Sequence, residues 1–228
     1  MLKLLSYSIL FISGCLLIKY IDQLEIILFQ KVSFLNLTSI FYLLRITAAI
    51  SFILLPLKIT SYINSSLKTS LKVIFSVGLF ITPFILVPPD SLDFKYKATS
   101  RQQKNQLYSF LKKRENIQTQ NTLLCFLTAH CHFCKLAGKK IAVINKKLEV
   151  KNRIQIVLNN DSTESIELFK KINLKSNFSF HKTSFDSLLN ICGGGMPKIF
   201  LMKNDSILNE YGSRSLNDVE ILENLNKN

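Results

Sequence analysis

The sequence holds no tryptophan, only 5 prolines, 7 glycines and 5 cysteines, and 3 histidines in 228 residues. So little glycine and proline excludes collagen-like and low-complexity chains. Five cysteines are too few for a small disulfide-stapled scaffold, and a chain of this length needs no such staples. Charge is scarce as well. Charged residues make up 19% of the chain and hydrophobic ones 48%, with a mean hydropathy of +0.23. That balance excludes a disordered chain. The missing tryptophan decides nothing alone.

Acidic residues are scarcest at the start. Residues 1–89 hold 2 Asp+Glu and 7 Lys+Arg, whereas residues 90–228 hold 13 and 22. The sequence therefore reads as two parts, with a boundary near Pro88-Pro89-Asp90. The first is apolar and nearly uncharged. The second has the composition of a water-soluble domain.

Apolar runs near 4–20, 37–57 and 71–89 fill the first part. A hydrocarbon core about 30 Å thick takes roughly 20 helical residues to cross. The middle run meets that length and carries one charge, Arg45. Three such runs with almost no acid argue for membrane spans rather than buried core helices. Lys3, Lys58, Lys68 and Lys72 lie on one side of the spans, and Lys19 and Lys31 on the other. Positive flanks face the cytoplasm, so the N-terminus is read as inside and the second part as outside. A rival reading takes Ile12-Ser13-Gly14-Cys15 as a lipoprotein cleavage box with lipid on Cys15. The second part still emerges outside. Arg45 in mid-span needs a partner. Asp22 and Glu25 are candidates, and snorkelling or bonding to backbone carbonyls is the alternative.

The segments FISGCLLIKYIDQLEIILFQKVSFLN and YLLRITAAISFILLPL resemble the DoxX/MauE group of small redox-associated membrane proteins. The resemblance covers roughly residues 9–87. Those proteins usually have four spans, where three are read here, and many carry cysteines after the third span that this chain lacks.

In the second part, residues 90–121 read as a polar tether and a helix over 102–114, with 93–97 extended. The informative stretch is TLLCFLTAHCHFCKLAGKKIAVINKKL. A strand-length apolar run, 123–128, leads directly into Cys131-His132-Phe133-Cys134. Apolar residues then recur with a helical period at Phe133, Leu136, Ala137, Ile141, Ile144 and Leu148. A C-x-x-C thus lies between a strand end and a helix start. There, free N–H groups and the helix dipole stabilise a thiolate on the first cysteine. The second lies one turn on, close enough to resolve a mixed disulfide.

Further expected elements are strands over 153–158, 178–181, 198–203 and 207–211, and helices over 163–172, 184–191 and 216–225. Asn159-Asn160-Asp161-Ser162 is read as a cap for the first of these helices. The order β-α-β-α-β-α-β-β-α implies parallel strands first and an antiparallel edge last. The expected fold is α/β, a mixed sheet flanked by helices, preceded by an all-α transmembrane region of about three helices.

The strand–CHFC–helix, Met196-Pro197 before an apolar strand, and PKIFLMKNDSILNEYG resemble the thioredoxin fold, most closely its extracytoplasmic TlpA/ResA type. The resemblance covers about residues 122–226. It implies that Cys131 attacks, that Cys134 resolves, and that Pro197 is cis, with the Met196 backbone pairing with an extended substrate. It implies no cofactor beyond a redox-active Cys131–Cys134 disulfide, and protein thiols or disulfides as partners, with room for a membrane redox partner. His132 and Phe133 are read as modulating the dithiol. Cys125 stands where relatives often carry a buried acid or amide, and the lead LTAHC lacks their usual tryptophan.

Alternatives stay open. Cys131 and Cys134 could form half a zinc site with His130 or His132, but zinc takes four ligands and HCHFC is too tight for one ion, so no metal is expected. A non-catalytic membrane protein whose thioredoxin-like domain binds metal or a protein partner is the other reading. Cys125 and Cys192 read as small buried hydrophobes, with an approach of Cys192 to the dithiol as the alternative. No nucleic-acid motif accompanies the basic charge. The expected location is a bacterial inner membrane, with the thioredoxin-like domain extracytoplasmic.

Overall fold

The structure is a computed structural model that describes residues 2–32, 34–62, 69–88, 98–114, 116–160, 163–174 and 178–227. The Pro89-Asp90 step, the stretch 93–97, Lys68, and the Asp161-Ser162 part of the cap fall outside these residues. The chain divides into two compact units, Met1–Pro89 and Asp90–Asn228.

The first unit is helical: α1 (Leu2–Lys19), α2 (Ile21–Lys31), α3 (Leu37–Tyr62) and α4 (Thr69–Leu86). Helices α1, α2 and α4 all pack on α3. The buried seam of α3 runs through Leu37, Ile40, Phe41, Leu44, Ala48 and Phe52, a helical period. A Cβ on Gly14 would come within 3.0 Å of the Ser51 Cβ, so α1 crosses α3 on small residues. The outward faces are apolar, with Ile9 and Ile12 on α1, Leu43 and Ile50 on α3, and Ile74 and Ile85 on α4 exposed.

Among the described residues the unit holds four helices against the expected three, because the segment between the first two runs forms α2. Its Ile21, Ile26 and Phe29 are buried. Among the described residues, α3 is the one helix that is long and apolar enough to cross a membrane, over Leu37–Leu54. The runs Ser8–Lys19 and Ser76–Leu86 are shorter. Arg45 is wholly buried. Its Nε donates to the Val87 carbonyl at 3.0 Å and its Nη1 to the Phe41 carbonyl at 2.9 Å, and its guanidinium lies 3.2 Å from the centre of the Phe41 ring. Bonding to backbone carbonyls is therefore realised. Glu25 is buried in the same unit.

The second unit contains α5 (Arg101–Lys112), β1 (Thr122–Leu127), α6 (His132–Lys147), β2 (Ile154–Asn159), α7 (Thr163–Phe169), β3 (Ser179–Thr183), α8 (Phe185–Cys192), β4 (Lys198–Lys203), β5 (Ser206–Tyr211) and α9 (Asp218–Leu225). The strands form one sheet in the order β3-β2-β1-β4-β5. β1 and β2 run parallel, as do β2 and β3, while β4 is antiparallel to both β1 and β5. Every residue of the central strand β1 is buried, which explains its unbroken apolar run. Leu124, Phe126, Phe200 and Met202 face a core made with Leu107 of α5 and Leu188 and Ile191 of α8. With a side-chain period of two, Leu123, Cys125, Leu127 and Ile199 face the opposite layer, where α6 packs with α9 and the turn after α7.

Two expectations change. Residues 90–121 are not only a tether, because Leu107 and Ile117 belong to the core and α5 packs on α8. The helix at 163–172 closes after Phe169 and continues as a π-helical turn, Lys170–Leu174.

Candidate active site

The central strand β1 delivers the chain to one end of the sheet, and Cys131 caps α6. Its backbone is extended (φ −74°, ψ 124°) and its Sγ accepts from the Cys134 N–H at 3.4 Å. That is the place where a serine or aspartate oxygen caps most helices. Here the capping atom is sulfur, and the unpaired N–H groups of the first turn favour its anion.

The two thiols separate in acidity. The Cys131 pKa is lowered from its ordinary 9.0 to about 6, first by the hydrogen bond with the Cys134 side chain. Burial opposes this, while the backbone N–H groups of Cys134 and Phe133 and the charge of His132 add to it. Cys134 is buried, and desolvation, helped by the neighbouring Cys131, pushes its thiol far up. The half-buried Cys131 is therefore the thiol that ionises near neutrality, and Cys134 keeps its proton.

The loop after α8 completes the site. Gly193 ends α8 in the left-handed region (φ 63°), and a Cβ there would collide with the Gln103 amide of α5. Gly194 follows at φ 82°. The Met196–Pro197 bond is cis, as the family resemblance implies. The Cys131 thiol donates to the Met196 carbonyl at 3.7 Å. Cys131, Cys134, Met196 and Pro197 thus come together. His132 and Phe133 are exposed beside them, their rings 5.7 Å apart.

The remaining cysteines differ. Cys125 is wholly buried in β1, and desolvation alone drives its thiol far up. Cys192 lies in the α5/α8 core, where burial pushes it to about 12 against the charge of Lys198. Both stay protonated at neutral pH. His181 bonds Gln155 at 2.9 Å. Among the described residues, no group of three or more His, Cys, Asp or Glu side chains is placed to hold a metal ion.

Sequence reasoning missed three basic residues around the site. Lys198, directly after the cis-proline, is fully buried and pairs with Glu210 at 3.2 Å. Burial alone would raise the Glu210 carboxyl, but Thr99 and Lys198 together hold it below the usual range. The Thr99 N–H donates to both of its oxygens, at 3.0 and 3.2 Å. Lys140, inside α6, donates to the Ser213 carbonyl at 2.7 Å. Arg214 lies over the Phe133 ring, 5.1 Å from its centre. A lysine opening a strand whose next four residues are apolar was a signal for Lys198. Arg214 sits in a loop, and nothing in the sequence points to it.

The strand–dithiol–helix, the cis-proline beside it and the closing antiparallel hairpin define a thioredoxin-like domain with a C-x-x-C site. No protein-family model matches the chain, and no curated protein matches it. Among solved structures, the chain is similar to a secreted Mycobacterium tuberculosis disulfide oxidoreductase described as homologous to E. coli DsbE. The identity is 14%, the match covers 47% of this chain and 82% of that one, and the TM-score is 0.38.

Proposed function

We propose that the chain is a membrane-anchored thiol–disulfide oxidoreductase of TlpA/ResA type that works by mixed-disulfide exchange. The observation that carries this is the division of labour in the dithiol. One half-exposed thiol caps a helix and ionises near pH 6, and its buried partner one turn on stays protonated. A substrate disulfide meets the Cys131 thiolate, and Cys134 resolves the mixed disulfide. The substrate chain lies along Met196, next to cis-Pro197, with His132 and Phe133 flanking it. No cofactor or metal is needed, because the Cys131–Cys134 disulfide carries the electrons.

The membrane assignment, with spans in the DoxX/MauE manner, draws support from the apolar length of α3 and the outward isoleucines of α1, α3 and α4. On this reading the thioredoxin-like unit faces the extracytoplasmic side of a bacterial inner membrane, as the positive flanks suggest.

The test is trapping. Cys134→Ser in the full chain, in cells, should accumulate mixed disulfides through Cys131 that dithiothreitol releases. Cys131→Ser should accumulate none. Equal trapping by both variants would sink the assignment.

A further inference from the structure

The harder half of the exchange falls to Cys134. Its sulfur must become a thiolate before it can attack. Yet it is fully buried, and burial together with the neighbouring Cys131 holds its thiol well above the ordinary 9.0. The nearby chain supplies no carboxylate base, since no Asp or Glu occurs in residues 116–148 or 187–204, which hold β1, α6 and the cis-proline loop. Cys125, on the α6 side of β1, keeps its own proton, because burial drives its thiol far up.

What Cys134 does meet is Thr128. β1 ends at Leu127, and Thr128 is the first residue beyond it, buried at the end of the sheet where the dithiol lies. Cys131 caps α6 and Cys134 lies in its first turn, so the chain doubles back and sets Cys134 against Thr128. There both the backbone N–H and the hydroxyl of Thr128 bond the Cys134 sulfur, and both favour the thiolate. A hydrogen bond to an anion is stronger than one between neutral groups. The N–H would come from almost any residue at this position. The hydroxyl is the contribution of threonine, and burial keeps bulk water from taking its place.

We infer that Thr128 is a further catalytic residue, whose hydroxyl stabilises the Cys134 thiolate in the resolving step. The inference rests on the thiol-exchange function proposed above. In the reducing direction, the Cys131 thiolate first attacks one substrate sulfur, and the other substrate sulfur leaves as a thiolate that takes up a proton. This step does not use Thr128. In the mixed disulfide, the Cys134 thiol then gives its proton to water while the Thr128 hydroxyl donates to the sulfur left behind. That thiolate attacks the Cys131 sulfur. The Cys131–Cys134 bond forms, the Cys131–substrate bond breaks, and the electron pair leaves on the second substrate sulfur, which takes up a proton. Over both steps two electrons pass from the dithiol to the substrate disulfide. The hydroxyl raises the share of thiolate by its whole effect and lowers the nucleophilicity of that thiolate by about half as much, so the remainder is the gain in rate.

The test is stopped-flow reaction of the full chain, reduced and freed of reductant, in nonionic detergent, with the aromatic disulfide dithiobis-nitrobenzoate. A Cys15→Ala background is used because Cys15 is exposed. Each exchange frees a coloured thiolate. The first phase, attack by Cys131, scales with reagent concentration, and the second, attack by Cys134 on the mixed disulfide, does not. Thr128→Val keeps the branched shape and the N–H. It should slow the second phase roughly fivefold, the part of a lost hydrogen bond to a charged group that reaches the rate, and leave the first unchanged. Thr128→Ser should restore the second phase. Thr128→Ala, which adds no bulk, should show the same split between phases. An unchanged second phase in Thr128→Val and Thr128→Ala, equal slowing of both phases, or no recovery with serine would overturn the role of Thr128 and leave the oxidoreductase standing. No Cys131-dependent phase in the chain with Thr128 intact would overturn both.

Discussion

The two units of this chain each bury an apolar core but differ in what their outer faces carry. In the first, isoleucines stand on the outside of the helices, and two charged residues, Arg45 and Glu25, are buried. In the second, leucine and phenylalanine fill the space around the sheet and most lysines point outward, with Lys140 and Lys198 buried. A surface such as that of α4, where Ile74 is 68% and Ile85 69% exposed, is suited to lipid. The sheet unit is suited to water. Both units bury cations: Arg45 bonds backbone carbonyls and an aromatic face, and Lys198 bonds a carboxylate.

The contrast can be broken most strongly at Lys198. Lys198→Met leaves the Glu210 carboxylate half-buried without its ammonium. Removing one partner of a buried pair costs about 3–5 kcal/mol, and the low end is expected because Glu210 is partly exposed. Denaturant unfolding of the full chain in detergent, followed by dithiol accessibility, measures it. A cost well under about 1 kcal/mol would place the pair with ordinary surface pairs. Arg45→Met takes a donor from the Val87 carbonyl, with an expected cost of about 1–3 kcal/mol. That loss should appear as earlier proteolysis within residues 1–89, with the unfolding of the sheet unit unchanged. A shift in the sheet unit would contradict the division into two units.

A smaller effect is expected at the active-site loop. Gly193→Ala puts a Cβ on a left-handed residue, at about 1–2 kcal/mol, and sets it against the Gln103 amide. Gln103→Ala in the same chain should recover the part due to the collision, and thermal unfolding of the single and double variants separates the two contributions.

The smallest effect is in acidity. Alkylation of Cys131 should rise with pH to half its maximum near pH 6 and fall away below it, because the thiolate is the reacting form. Cys134→Ala should move the midpoint up toward the ordinary 9.0, since the hydrogen bond with the Cys134 side chain is the largest cause of the lowering. His132→Ala should move it up by less. A midpoint unmoved by Cys134→Ala would remove that hydrogen bond from the explanation.

Much of the sheet unit was legible in the sequence. The apolar run 123–128 ending in Cys131-His132-Phe133-Cys134, and the helical period after it, led to β1 and α6 within a residue or two. Each depends on local pattern alone. The role of α5 was not legible, because a polar helix with one buried leucine looks like a tether until α8 covers Leu107. Helix α2 was hidden because its 11 residues mix Asp22, Glu25 and Lys31 with the apolar ones. Arg214 and Lys140 gain their meaning from tertiary contacts between residues 73 positions apart or more, and no local spacing encodes them. The dithiol could be read because its chemistry lies within four residues.

The most direct measurement is the reduction potential of the Cys131–Cys134 pair in the full chain, by thiol trapping across a series of redox buffers, with Cys131→Ser as control. A single two-electron transition that needs Cys131 is the expected result, between about −270 mV for thioredoxin and about −120 mV for a strong oxidant. A value near the low end would make the protein a reductant, and one near the high end a disulfide donor. The absence of any Cys131-dependent transition would contradict the oxidoreductase function outright.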